Sequence, residues 1–184
     1  MSVRHSSVAP SGEERTFGSD EIIVSKTDAR GIIRYANEVF IRVAAYPEAE
    51  LIGKPHNVIR HPDMPRCVFA LLWETIQRGD ELFAYIVNLA ADGAHYWVLA
   101  HVTPSYDASG SIAGYHSNRR LPERDAIAEI SELYAELRAA EARHQHPKAA
   151  TEAGAERLRE MLERQGQTYE QYVWALTSRS LEAV

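Results

Sequence analysis

With 184 residues, 45% of them hydrophobic, the chain is long enough for one ordinary domain with appendages and apolar enough to bury a core. A formal net charge of −6 argues against a surface for nucleic acid or anionic membrane. Cys67 is the single cysteine, which excludes an internal disulfide and a cysteine-based zinc site, and no apolar run reaches signal-peptide or membrane-spanning length, so a soluble cytoplasmic protein is expected.

Residues 1–20 are polar, with scattered Gly, Pro and Ser, and read as a flexible arm. Ile22, Ile23 and Val24 begin a strand, Asp28-Ala29-Arg30-Gly31 forms a tight turn suited to a positive φ at the glycine, and Ile32 to Ala36 returns as the paired strand. Asn37 is placed to cap a short helix carrying Val39, Phe40 and Val43. Pro47 and Gly53 bracket a second short helical piece.

The stretch His56 to Trp73, HNVIRHPDMPRCVFALLW, is the densest in chemistry. Pro62 and Pro65 lack backbone donors and fix their dihedrals, so an irregular turn is expected before Met64. Asp63 stands where an N-cap belongs, and the apolar spacing that follows predicts a helix to about Arg78, stopped by Gly79. Arg60, His61 and Asp63 would then sit at a helix N-terminus, which favours bound anions.

Beyond Gly79 the pattern turns to sheet. Phe83, Tyr85 and Val87 alternate with their neighbours into a turn at Asp92-Gly93, and His95 to Thr103 forms a second strand rich in aromatic and β-branched residues. Ser111 to Arg120 makes the last strand. Two strands before the helices and three after them predict an α+β domain of sensor type, a five-stranded antiparallel sheet with helices on one face, enclosing side chains or a ligand. Pro122 marks a boundary. The intervals of Ile127, Ile130, Leu133, Tyr134 and Leu137 predict an amphipathic helix, followed by a second with Leu158, Met161 and Leu162 and a third opened by a capping box at Thr168 and Gln171. Residues 123–184 carry 8 basic and 12 acidic side chains, net −4, so their outer faces are acidic and each apolar stripe needs a partner surface. The division expected is an arm over 1–20, a sensor domain over 21–121 and a helical extension over 122–184.

Several segments resemble a known family. Thr27-Asp28-x-x-Gly31-x-Ile33-x-Tyr35-Ala36-Asn37 is similar to the opening of a PAS domain. Gly53-x-Pro55-His56-Asn57-x-x-Arg60-His61-Pro62-Asp63-Met64-Pro65 resembles the PAS domain of bacterial aerotaxis receptors, which hold FAD non-covalently, and Asp92-Gly93-x-His95-Tyr96-Trp97-Val98 with Gly114-Tyr115 continues the likeness over about residues 22–121. The resemblance implies a PAS fold and a flavin pocket served by Asn37, Arg60, His61, Asp63, Trp73, Phe83 and Asn88. Arg60 and His61 suit a pyrophosphate or ring carbonyl, Trp73 offers a flat face, and Asn88 suits the edge of an isoalloxazine. Where the subgroup has a tryptophan this chain has Phe83, and the segment before Asn88 is one residue shorter, so FMN stays open as an alternative to FAD. Unlike the receptors, the chain does not continue into membrane and methyl-accepting regions, which implies a stand-alone sensor whose last 62 residues carry the output.

Other classes are weighed against this. Blue-light flavin–cysteine photochemistry needs a cysteine at His56 to Ile59, which has none. A haem sensor needs a histidine ligand, and Met64 to Arg78 has none, leaving His61 or a strand histidine. An enzyme would need an acid/base pair beside the ring, and none is evident, so no catalytic activity and no metal site are expected. A ligand-free interaction module is the remaining alternative. The expected function is a redox, oxygen or energy sensor of the aerotaxis and chemotaxis kind, a homodimer signalling to a chemoreceptor, histidine kinase or cyclase. Its signal would travel along the sheet to Arg119-Arg120 and the helix after Pro122, so a chain ended at Leu121 should keep ligand binding and lose output.

Overall fold

The sheet is built by strands β1 (Ile23–Asp28), β2 (Ile33–Ala36), β3 (Leu82–Leu89), β4 (His95–Tyr106) and β5 (Ile112–Arg120), in the order β2-β1-β5-β4-β3 with every pair antiparallel. Between β2 and β3 lie α1 (Glu38–Ala44), α2 (Glu48–Leu51), a 3₁₀ turn at His56–Ile59 and α3 (Arg66–Gln77). After β5 come α4 (Arg124–Glu141), α5 (Pro147–Gln165) and α6 (Tyr169–Glu182). This is a computed structural model describing residues 8–182, with side chains described through 178. No helix among the described residues is long and apolar enough to cross a membrane.

Local chemistry sets the hairpin and the first helix. The Asp28 carboxylate accepts the N–H groups of Arg30 (2.9 Å) and Ile32 (3.0 Å), and Gly31 closes the turn at φ 78°. Those backbone bonds, Ile32's first, and the Arg34 guanidinium hold Asp28 below the usual carboxylate range. Asn37 does three jobs: its Oδ1 accepts from Phe40 N–H (3.0 Å) and Val24 N–H (3.0 Å), and its Nδ2 donates to Ile22 O (2.8 Å). It therefore caps α1 and pins that helix to β1.

The residues of β3 alternate between two environments. Ile86 and Asn88 face α3, whereas Phe83 and Tyr85 face the other side, where α6 supplies Trp174 and Thr177. Helices thus cover both faces of the sheet: α1 to α3 on one, and α4 and α6 against the outward residues of β3 and β4. Tyr134 of α4 donates its hydroxyl to Tyr85 O and packs on Trp97, and Tyr85 Oη lies 3.0 Å from Thr177 Oγ1. The apolar stripes of the extension find their partner surface on their own chain, with Ile130, Leu137, Leu158, Val173 and Leu176 all buried. The capping box is formed: Thr168 N–H donates to Gln171 Oε1 (2.9 Å), and Gln171 N–H to Thr168 Oγ1 (3.2 Å).

Two local expectations change. Residues 11–17, read as part of a mobile arm, run beside the β3–β4 turn: Ser11 N–H donates to Gly93 O (2.8 Å), His95 N–H to Glu13 O (2.8 Å) and Arg15 N–H to His95 O (2.7 Å), while Phe17 is buried. Backbone pairing, invisible in a polar composition, orders the segment; residues 1–7 lie outside the described residues. Asp63 does not cap α3. It is exposed and pairs with Arg138, while the N–H groups of Arg66 and Cys67 are held by the carboxylate of Glu141, 75 and 74 residues away.

Candidate functional site

A cavity of about 430 Å³ lies between α3, the 3₁₀ turn and the inner face of the sheet. Its walls are apolar at Ile59, Phe69, Trp73, Ile76, Ile86 and Val102. Trp73 is held edge-on against Tyr115, ring centroids 5.6 Å apart at 86°. Gly31 stands so near that a Cβ there would lie 2.8 Å from Trp73 Cη2, so the turn glycine also makes room for the tryptophan.

The polar lining is one-sided in charge. Arg30, Arg60, Arg66 and Arg119 all line the cavity, and no Asp or Glu is among its lining residues. Arg30 and Arg66 are exposed. Arg60 is half-buried, with its guanidinium 4.3 Å from the centre of the Phe69 ring and Nη2 donating to Met64 O (3.4 Å). Burial, and then the charge of Arg66, lower its pKa from the ordinary guanidinium value. The backbone of Arg60 bridges that of Asn88 on β3, so the irregular loop is fastened to the sheet edge at the two positions expected to face a ligand.

Arg119 lies at the deep end and is 2% exposed. Its Nε donates to Ser117 Oγ (3.0 Å), and its Nη2 to Ser25 Oγ and to His56 Nε2 (2.8 Å). The guanidinium carbon sits 4.7 Å from the centre of the Phe40 ring. No carboxylate pairs with it among the described residues, and its Nη1 has no hydrogen-bond partner there. Burial pushes its pKa down to about 10. Beside it, burial and the Arg119 charge push His56 down to about 3, so the ring is neutral and its Nε2 is free to accept. A buried cation without a counter-ion is costly, and the arrangement is suited to receive a negative group entering the cavity.

Of the residues singled out by sequence, Arg60, Trp73 and Asn88 line this cavity. Asn37 is not among the lining residues, because its amide is committed to the α1 cap. His61 lies outside as well: its Nδ1 accepts from Asp63 N–H (3.0 Å), and its ring packs edge-on to His95, 5.9 Å away. Burial first of all lowers its pKa. Asp63 faces Arg138 at the surface. Phe83 has the opposite strand parity from Ile86 and Asn88, and stacks on His101 at 4.0 Å and 3° outside the sheet. Sequence reasoning did not assign His56, Ser25 or Arg119 to the ligand site; for Arg119 a signal existed in the alternation Tyr115-x-Ser117-x-Arg119, which puts these three strand residues on the cavity side of β5.

Cys67 is buried away from the cavity lining, and burial, followed by the Glu141 charge, pushes its thiol up, which keeps it protonated. Among the described residues no group of three or more His, Cys, Asp or Glu is placed to hold a metal ion.

Comparison with known proteins matches the PAS fold family to residues 22–117. The aerotaxis receptor of Escherichia coli (strain K12) is 39% identical over 123 residues, covering 67% of this chain and 24% of the receptor. The nitrogen fixation regulatory protein of Klebsiella pneumoniae is 29% identical over 99 residues, 54% of this chain and 20% of that protein. The chain thus spans about a fifth to a quarter of the length of these curated relatives. Among solved structures, the light-state structure of the LOV domain of the blue-light photoreceptor Aureochrome1 superposes with a TM-score of 0.54 at 20% identity, over 62% of this chain and 88% of that one, a likeness of fold.

Proposed function

The chain belongs to the PAS family, and from that premise we propose that it is a signalling sensor that holds FAD non-covalently in its cavity and reports redox or oxygen state through its C-terminal helices. The observation that carries this reading is the buried Arg119, with no carboxylate partner among the described residues, at the end of an apolar slot whose every charged lining residue is an arginine. Such a lining asks for a flat apolar ligand bearing negative charge. Arg30, Arg60 and Arg66 would receive the phosphates, two rather than one being matched by three cations, and this favours FAD over FMN. Trp73 would pack against the ring, and Asn88 supplies a neutral donor and acceptor on the strand.

A bound flavin supplies a ring that gains negative charge or protons as it accepts electrons. Arg119 would favour the more negative form, since its buried guanidinium lines a low-dielectric cavity. His56, held neutral, keeps its Nε2 as a hydrogen-bond acceptor for the Arg119 guanidinium. A change in the charge facing Arg119 alters its bonds to Ser25 on β1 and Ser117 on β5, and β5 leads through Arg119-Arg120 into α4. Signalling of this kind requires two states that the two redox forms bind unequally. The receiving partner would be a second copy of the chain, a chemoreceptor, a histidine kinase or a cyclase. No role in catalysis, nucleic-acid binding or membrane insertion is proposed, and a cytoplasmic setting fits this reading.

The visible absorption spectrum of the freshly purified protein tests the reading. Flavin bands released on denaturation, with mass spectrometry giving FAD, are expected. A Soret band would assign the cavity to haem, with His56 as the one lining histidine. Colourless protein that takes up no FAD on refolding would leave a ligand-free interaction module.

A further inference from the structure

The family match ends at residue 117, yet the cavity does not. Thr151, on α5, is one of its lining residues. A set of contacts holds α5 in that place. Glu141, buried at the end of α4, carries its carboxylate to the first turn of α3, accepting Arg66 N–H at 3.0 Å and Cys67 N–H at 2.9 Å. One turn beyond Thr151, Gly154 abuts this junction: a Cβ there would lie 2.6 Å from Glu141 Oε1 and 2.9 Å from Cys67 Sγ. Only a residue without a side chain lets α5 approach α3 so closely. Ala150 and Leu158, one turn either side of Gly154, are buried, and Arg138 of α4 ties the same corner to Asp63. Arg66, whose N–H is held by Glu141, lines the cavity together with Thr151.

We propose that α5 is a wall of the ligand site, with Thr151 facing the anionic part of the cofactor that the lining arginines receive. The helical extension then completes the binding site as well as carrying output, and ligand affinity and the position of α5 are thermodynamically linked. On this proposal a chain ended at Leu121 would lack part of its site, against the expectation that it keeps ligand binding. The inference rests on reading the cavity as the seat of an anionic flavin nucleotide.

Position 151 is suited to a charge series, because Thr151 is part-exposed and its hydroxyl donates back to Pro147 O of its own helix (3.0 Å). The full chain and its T151E, T151Q and T151K variants are stripped of ligand and titrated with FAD, following flavin fluorescence at low and high salt. At low salt, T151E is expected to weaken binding roughly five- to tenfold and T151K to tighten it by a similar factor, with T151Q near wild type and the spread narrowing at high salt. A loss of packing alone would move all three variants the same way. Equal affinities across the series, in a wild type that binds FAD, overturn this inference and leave the cofactor reading standing. A wild-type chain that binds no FAD overturns both.

Discussion

Replacing Arg119 by methionine separates a structural cation from a ligand-binding one. Holding Arg119 charged while its pKa falls from 12.5 to about 10 corresponds to roughly 3 kcal/mol against the folded state at any pH below 10. Methionine fills a similar space without that cost, and it forfeits the bonds to Ser117, Ser25 and His56, about 1 kcal/mol each. Two of those partners are not stranded, because Ser25 Oγ and His56 Nε2 lie 3.2 Å apart and can bond to each other. The terms nearly cancel, so the ligand-free variant should unfold in urea within about 1 kcal/mol of wild type. With FAD in excess the wild type should gain stability and Arg119→Met should gain far less, its affinity falling on the order of a hundredfold. A ligand-free variant destabilised by more than about 3 kcal/mol, with its FAD-dependent gain intact, would refute the argument that the cation is there for a ligand.

Acid should weaken the ligand-free fold through His56. Its folded pKa of about 3 lies below the ordinary 6.5, so the unfolded chain takes up a proton that the native state refuses. That contribution to stability is whole above pH 6.5 and drains away as the pH falls towards 3, amounting to roughly 2 kcal/mol by about pH 5. Urea midpoints should therefore fall less steeply with pH in His56→Asn than in wild type, and parallel slopes would count against it. Glu141→Ala strands the N–H groups of Arg66 and Cys67 and should cost about 2 kcal/mol, with Glu141→Gln intermediate; hydrogen exchange at Arg66 and Cys67 should accelerate in both. Gly31→Ala must adopt a φ near 78° and meet Trp73 at 2.8 Å, so it should cost about 1–2 kcal/mol and shift the Trp73 emission; unchanged emission would show that the ring does not rest on this turn.

Local rules went far in this chain because many of its elements are specified by neighbours. Asn37 three residues ahead of Phe40, the Asp28–Gly31 turn, and the Thr168–Gln171 box are each closed by groups within four residues of one another, and strand alternation follows from a period of two. Trp73, Arg60 and Asn88, reached through resemblance, do line the cavity. Reasoning by neighbours failed where the partner is distant. Asp63 looks like the cap of α3 until Glu141 arrives from the far end of α4, and a polar arm looks mobile until its backbone pairs with the hairpin.

The amino-acid sequence by itself determined the elements, their order and the five-stranded sheet, since hydrophobic period, turn chemistry and caps act over a few residues. Only the tertiary structure decided that Arg119 is buried with no acid among the described residues to meet it, that His56 and Ser25 bond to it, and that Thr151 of the extension shares its cavity. Those facts depend on which faces meet across β1, β5 and α5, and a charge acquires its cost and its chemistry from the groups that folding brings around it.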